Sequence, residues 1–143
     1  MKFQNYMILE FPSKSCNEAF ARSAVACFAA QLDPTIEELG DIRTAVSEAV
    51  TNCIVHAYPD KLGIITVRCR ILKDKILDIV IKDHGIGITD IEQAKKPMYT
   101  TGGSERSGMG FTIMESFMTS MDITSEPGRG TTVHMRRRLQ HRQ

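Results

Sequence analysis

Three short groups of residues have types and spacing suited to a charged, phosphate-bearing ligand. In "SEAVTNCIVHAY", Glu48, Asn52 and His56 recur every fourth residue, so on a helix turning about 100° per residue they share one stripe. Val46, Val50, Ile54 and Ala57 mark the apolar face of that helix, and Ala45, Ala49 and Cys53 carry it round to the stripe's edge. A solvated helix edge ordinarily carries Lys or Arg. Here a carboxylate and then an amide border the buried side. An Asn oxygen can ligate Mg²⁺, which takes only one or two protein ligands when it travels with a nucleotide. A carboxylate one turn earlier can accept a proton from an attacking hydroxyl or water.

The second group is Asp83-His84-Gly85-Ile86-Gly87, at the end of an apolar strand. Its glycines permit positive φ and close approach of a ligand, and its Asp can accept a hydrogen bond from an exocyclic amine, which separates adenine from guanine. The third is Ser107-Gly108-Met109-Gly110-Phe111, where a polar loop turns into a helix. Backbone N–H groups and the helix dipole make such a junction an anion site suited to phosphate. Each group alone also fits ordinary structure: a polar helix edge, an Asp/Gly turn, a glycine-opened helix start. Their order along one chain is the specific signal. No P-loop pattern GxxxxGK(S/T) occurs, and the dinucleotide pattern GxGxxG needs a glycine where Ile113 stands.

The elements that must position these groups follow from periodicity and breakers. Residues 5–11 alternate loosely around Tyr6, Ile8 and Phe11, a first strand. "SCNE", with Ser15 as N-cap and Glu18 three later, predicts a capping box opening a helix to about Leu32. Asp33-Pro34 predicts a second helix start, with Pro at the first helical position and an end at Tyr58 before Pro59. "IITVRCRIL" and "KILDIVIKD" are strands joined by a turn at Lys73-Asp74. A small helix capped by Thr89 with Glu92 follows, then a long aperiodic loop, 96–107, and a Met-rich helix to 121 whose methionines suit a plastic core. "MDITSEPGRGTTVHMRRRL" gives two strands around a Pro-Gly turn. Antiparallel strand pairs with helices gathered on one face make a two-layer α/β sandwich.

A chain of 143 residues fits one domain, 1–143, able to bury roughly two-thirds of its unfolded surface. A net charge of +1 recruits neither nucleic acid nor membrane, and Arg136, Arg137, Arg138 and Arg142 are expected as a solvated C-terminal tail. The cysteines (Cys16, Cys27, Cys53, Cys69) form no CxxC pair and are expected as reduced, semi-buried thiols. Glu10 and the lack of a small-residue cleavage site argue against a signal peptide, and no apolar run reaches the roughly 18 residues of a membrane span. The expectation is a soluble, cytoplasmic protein. His56, His134 and His141 carry no phosphoacceptor context.

The order E-x-x-x-N, D-x-G-x-G, G-x-G resembles the N, G1 and G2 boxes of the GHKL nucleotide-binding superfamily, shared by gyrase, heat-shock chaperone, mismatch-repair and histidine-kinase ATP domains. Within it, "VSEAVTN", "GITDIEQA" and "ERSGMGFTIME", with "NEAFAR" and "QLDPT", are similar to the sporulation anti-sigma serine kinases of Gram-positive spore formers. The resemblance covers nearly the whole chain. It implies the GHKL (Bergerat) two-layer sandwich, with a mixed, mostly antiparallel sheet and helices on one face, and ATP with Mg²⁺ as cofactors.

Position by position, the resemblance implies that Asn52 holds the Mg²⁺, Glu48 is the base, and Asp83 binds the adenine amino group in a pocket shaped by Gly85 and Gly87. Gly108 and Gly110, with Ser107 and Met109, admit the phosphates; Thr131 supports Asp83 from the neighbouring strand. Thr100 and Arg106 in the 96–107 lid face the nucleotide, Arg106 at the γ-phosphate, and Arg22 lies on a partner-binding face. The implied function is to bind and inhibit a sporulation sigma factor and to phosphorylate its anti-anti-sigma factor, as a homodimer pairing through the sheet. Two positions depart from the family pattern: His84, expected to face solvent, and a lid bearing Gly102-Gly103. The rival functions are a non-catalytic ATP-gated binding module, and an ATPase or histidine-kinase-type catalytic domain. A base at Glu48 favours catalysis over the first; the absence of a dimerisation helix hairpin disfavours the second.

Overall fold

A computed structural model describes residues 3–88, 90, 91, 95 and 110–140. Strand β1 (Asn5–Pro12) leads to helix α1 (Cys16–Ala29), a 3₁₀ turn (Ala30–Leu32) and helix α2 (Ile36–Asn52), which widens into a π-helical turn (Cys53–Ala57). Strands β2 (Ile64–Leu72) and β3 (Ile76–Asp83), helix α3 (Gly110–Phe117), and strands β4 (Ser120–Glu126) and β5 (Gly130–Arg138) complete the order. The sheet runs β1-β2-β3-β5-β4, and all four pairings are antiparallel.

Period-two alternation sets the two faces of this sheet. On β2, Ile65, Val67, Cys69 and Ile71 are buried, as are Leu77, Ile79 and Ile81 on β3 and Val133 and Met135 on β5. Val25 and Phe28 of α1, Ile42, Val46 and Val50 of α2, and Met114 of α3 complete that core. Truncating a fully enclosed member such as Ile79 to Ala costs about 2–5 kcal/mol. The helices therefore form one layer and the sheet the other, the expected sandwich.

The opposite face of the sheet has its own organisation. Asp78 has no solvent exposure; its Oδ1 accepts from Arg136 Nε at 2.8 Å and lies 2.5 Å from His134 Nε2, while Arg70 Nε stands 3.4 Å from Oδ2. Burial pushes this carboxyl up, but the hydrogen bonds and charges of His134 and Arg136 outweigh it and hold the group below the usual Asp range. The C-terminal arginines are thus strand residues, not a solvated tail. Arg136 pairs with Asp78, and Arg137 lies 3.0 Å from Asp41 and donates to the Phe117 carbonyl; Arg142 lies outside the described residues.

Helix starts differ from expectation in an instructive way. Ser15 has helical dihedrals (φ −58°, ψ −32°) and makes no capping bond; Glu18 instead pairs with Arg22 at 3.4 Å. Asp33 takes the left-handed conformation (φ 52°), and the second helix begins at Ile36, two residues later than its Pro34 suggested. Thr35, extended at ψ 163°, forms a reciprocal box with Glu38, worth about 1 kcal/mol. Oε1 of Glu38 accepts the Thr35 N–H and Oε2 the Gln140 N–H, each at 2.9 Å, so one buried carboxylate ties the C-terminal segment to the start of α2. The final helix is shorter than expected: it ends at Phe117, and Met121 belongs to β4. Among the thiols, Cys53 and Cys69 are buried, whereas Cys16 and Cys27 are exposed rather than semi-buried. No helix among the described residues is long and apolar enough to cross a membrane.

Candidate nucleotide site

Helix α2 positions the first group. Glu48 and Asn52 are half-buried and one turn apart, with Ala45, Ala49 and Val50 beneath them in the core. Gly110 opens α3 directly against both side chains: a Cβ there would stand 3.2 Å from Asn52 Nδ2 and 3.3 Å from Glu48 Oε2. The first and third sequence groups therefore meet, and only a glycine leaves the space between them open.

The second group is tied to the first through the π-helical turn. That turn leaves the Ala57 carbonyl to accept the Ile86 N–H at 3.1 Å. Gly85 runs so close that a Cβ would fall 2.2 Å from the same carbonyl oxygen. Gly87 has φ +77°, and a Cβ there would collide with the Glu126 carbonyl. On the other side, Gly128 N–H donates to the Ile86 carbonyl at 2.7 Å. The loop is clamped between the end of α2 and the β4–β5 hairpin.

Asp83, at the end of β3, is 4% exposed. Its Oδ1 accepts two main-chain N–H groups, from Gly85 at 2.9 Å and Thr131 at 3.2 Å. The carboxylate is thus fixed to the main chain through Oδ1. Thr131 acts here through its backbone; its hydroxyl lies 2.8 Å from that of Ser125, which donates to the Gly130 carbonyl and accepts the Ile88 N–H.

Two contributors carry no local sequence signal. Ser125 joins the site only because the β4–β5 register sets it opposite Thr131. Tyr58 donates its hydroxyl to the Ile64 carbonyl at 2.9 Å and accepts the His84 N–H at 2.6 Å, bracing the start of the glycine loop. Burial pushes its phenol above the usual range. Gly63 is explained by the same ring, which a Cβ would strike. Cys53, behind Asp83, is pushed well above the thiol range by burial and then by the Asp83 charge, so it is an unreactive packing residue.

Of the remaining candidates, His84 is exposed as expected. Arg22 is on α1, paired with Glu18 at 3.4 Å. Thr100, Arg106, Ser107, Gly108 and Met109, the whole 96–107 loop, and the Thr89 and Glu92 cap lie outside the described residues. No group of three or more His, Cys, Asp or Glu among the described residues could hold a metal. The lone Asn52 oxygen beside the Gly110 gap fits an ion that takes its other ligands from phosphate and water.

A two-layer sandwich with these three groups converging at one end of α2 defines a class, the histidine kinase-like ATPase domain, whose family model matches residues 11–137. The chain is 60% identical over 136 residues to the anti-sigma F factor of Caldanaerobacter subterraneus subsp. tengcongensis, covering 94% of each chain. It is 52% identical to that of Clostridium acetobutylicum, covering 95% of each. The chain belongs to this anti-sigma F factor family within the histidine kinase-like ATPases. Its fold is shared at TM-score 0.72 and 18% identity with the RsbU and RsbW domains of a Mycobacterium tuberculosis protein, over 97% of this chain and 34% of that one. A blue-light-activated histidine kinase domain from Erythrobacter litoralis matches at TM-score 0.59 and 21% identity, over 85% of this chain and 60% of that one.

Proposed function

We propose that this chain is an anti-sigma factor and an ATP-dependent protein serine kinase. It holds a sporulation sigma factor inactive and phosphorylates that factor's anti-anti-sigma protein. The observation that carries the kinase reading is the meeting of Glu48, Asn52 and Gly110 at the same end of α2 as the anchored Asp83. The names of the relatives support the anti-sigma role.

In this reading Asp83 Oδ2 accepts from the adenine amino group, with Gly85, Gly87 and Thr131 shaping that pocket. Asn52 is the protein ligand for Mg²⁺, which when bound neutralises phosphate charge. Gly108 and Gly110, with Ser107 and Met109, admit the phosphates, and Thr100 and Arg106 close over them. Glu48 takes the proton of the acceptor serine as its oxygen bonds to the γ-phosphorus. The bond to the β,γ-bridging oxygen breaks, and ADP leaves with that electron pair. The protein works in the cytoplasm as one domain and as a homodimer that pairs through the open sheet face, where Tyr6 and Ile8 are exposed.

The test is incubation of the full chain with γ-labelled ATP, Mg²⁺ and the candidate sigma and anti-anti-sigma proteins. Label on a serine of the anti-anti-sigma protein supports the reading. Label on neither protein, with nucleotide still bound, identifies an ATP-gated binding module instead.

A further inference from the structure

The pairing of β2 with β3 stops at the nucleotide site. Its register runs as far as Ile65 opposite Asp83, so Ile64 and His84 form the next pair. In a continuing antiparallel ladder they would exchange main-chain hydrogen bonds. Instead the Tyr58 hydroxyl stands between them, donating to the Ile64 carbonyl at 2.9 Å and accepting the His84 N–H at 2.6 Å. A hydroxyl suits this place because it can give one bond and take another. Burial pushes the phenol above its usual range, so it keeps the proton that it donates. Its ring is 6% exposed and lies against Gly63, where a Cβ would fall 2.1 Å from Cε1. On the other edge of β3, pairing with β5 ends at Lys82 opposite Thr132. The next N–H, that of Thr131, goes to the Asp83 side chain. Side-chain oxygens thus release the end of β3 from both of its neighbours.

We infer that Tyr58 is a positioning residue for the adenine end of the nucleotide, an inference that rests on the ATP reading above. Its hydroxyl acts as a wedge that holds the glycine loop off β2. Tyr58 directly follows the π-helical turn, Cys53–Ala57, that ends the helix carrying Glu48 and Asn52. Two consecutive residues there grip the loop: the Ala57 carbonyl takes the Ile86 N–H at 3.1 Å, and the Tyr58 hydroxyl takes the His84 N–H. Asp83 immediately precedes the gripped segment. The adenine carboxylate is therefore placed by the same helix as the Mg²⁺ ligand, which fixes the separation of the two ends of the nucleotide. Without the hydroxyl, Ile64 and His84 either close into the ladder or stand unpaired, and the loop leaves its place in both cases. The cost falls on binding of the nucleoside and not on proton transfer at Glu48.

The experiment compares the full chain with Tyr58→Phe, which keeps the ring and removes only the hydroxyl. Calorimetry with Mg-ATP and Mg-GTP should give a Kd for ATP raised about tenfold and a reduced preference for ATP over GTP. Steady-state transfer should show KM for ATP raised alike, with kcat at saturating ATP unchanged, the mark of binding lost equally from ground and transition states. A tyrosine that serves only as packing would lower Tm and leave ATP affinity and base preference at wild-type values, and that result overturns the inference. So does a loss of kcat at unchanged KM. Amide exchange of the nucleotide-free proteins tests the wedge itself. The Gly85 and Ile86 amides should exchange about tenfold faster in Tyr58→Phe, relative to Val67 and Ile79 in the middle of the ladder; unchanged exchange at both overturns it. If the wild type binds no nucleotide, the ATP reading fails, while the exchange rates still decide whether Tyr58 holds the loop.

Discussion

Thr131, on β5, donates its backbone N–H to Oδ1 of Asp83, on β3, at 3.2 Å. With the Gly85 N–H at 2.9 Å, this commits one carboxylate oxygen, Oδ1, to the fold. Asp83→Asn can keep its carbonyl oxygen on those two donors and would then present an NH₂ where Asp presents an acceptor. ATP binding should weaken roughly 10- to 100-fold, the range of a lost charged hydrogen bond, and the preference for ATP over GTP should vanish. Competition between the two nucleotides checks this; undiminished discrimination would remove Asp83 from adenine recognition.

Glu48 and Asn52 share a stripe but are assigned opposite moments of the reaction. A metal ligand acts in the ground state, whereas a base acts only as the proton leaves. Asn52→Ala should therefore abolish Mg-ATP binding. Glu48→Gln should bind ATP normally and lose transfer by about 100-fold or more. Equal phosphorylation by Glu48→Gln and wild type would exclude it as the base.

Two glycines should fail differently. A methyl at Gly85 meets main chain, 2.2 Å from the Ala57 oxygen, and neither side can yield. Gly85→Ala should lose about 1–3 kcal/mol or more of stability, visible as a lower Tm without nucleotide. A methyl at Gly110 meets only the ends of the Asn52 and Glu48 side chains, at 3.2–3.4 Å, which can swing aside. Gly110→Ala should therefore keep its apo Tm and lose ATP affinity. Equal losses of Tm in both would mean that Gly110 is structural.

Arg22→Glu should weaken both the sigma factor and the anti-anti-sigma protein while leaving ATP affinity intact, if one face of α1 serves both. Arg suits such a face because its planar fork engages carboxylates. Co-precipitation with each protein separates the cases, and loss of one partner alone would refute a shared face.

What the sequence made legible was what a local period or a local breaker encodes. The stripe on α2, the alternation of β2 and β3, and the glycine loop after Asp83 all have causes within a few residues. Even so, the capping box expected at Ser15 does not form, and one not singled out in the sequence forms at Thr35 and Glu38, because the left-handed Asp33 delivers Thr35 in an extended conformation that Ser15 lacks. The π-helical turn that frees the Ala57 carbonyl has no periodic signature. The roles of Ser125, Tyr58 and the Asp78 cluster depend on β5 lying between β3 and β4, a long-range choice that no local pattern reveals.

That strand order also predicts how stability responds to acid. Asp78 lies between β2 and β5, with Arg70 Nε near Oδ2 and His134 and Arg136 at Oδ1. These partners hold its carboxyl below the usual range, and hydrogen bonds from Thr35 and Gln140 outweigh burial to do the same for Glu38. A carboxyl depressed in the folded state contributes stability above its unfolded value of about 4, and that contribution disappears as pH falls through the folded value. Wild type should keep its Tm from neutral pH to about 5 as far as these two groups are concerned, and lose it steeply below about 4. Asp78→Asn should be less stable at pH 7 by about 1–3 kcal/mol, since it leaves charged partners without their counter-ion, and its acid slope should be shallower. Melting curves between pH 3 and 7 test both parts, and an unchanged slope in Asp78→Asn would show that acid lability arises elsewhere in the chain.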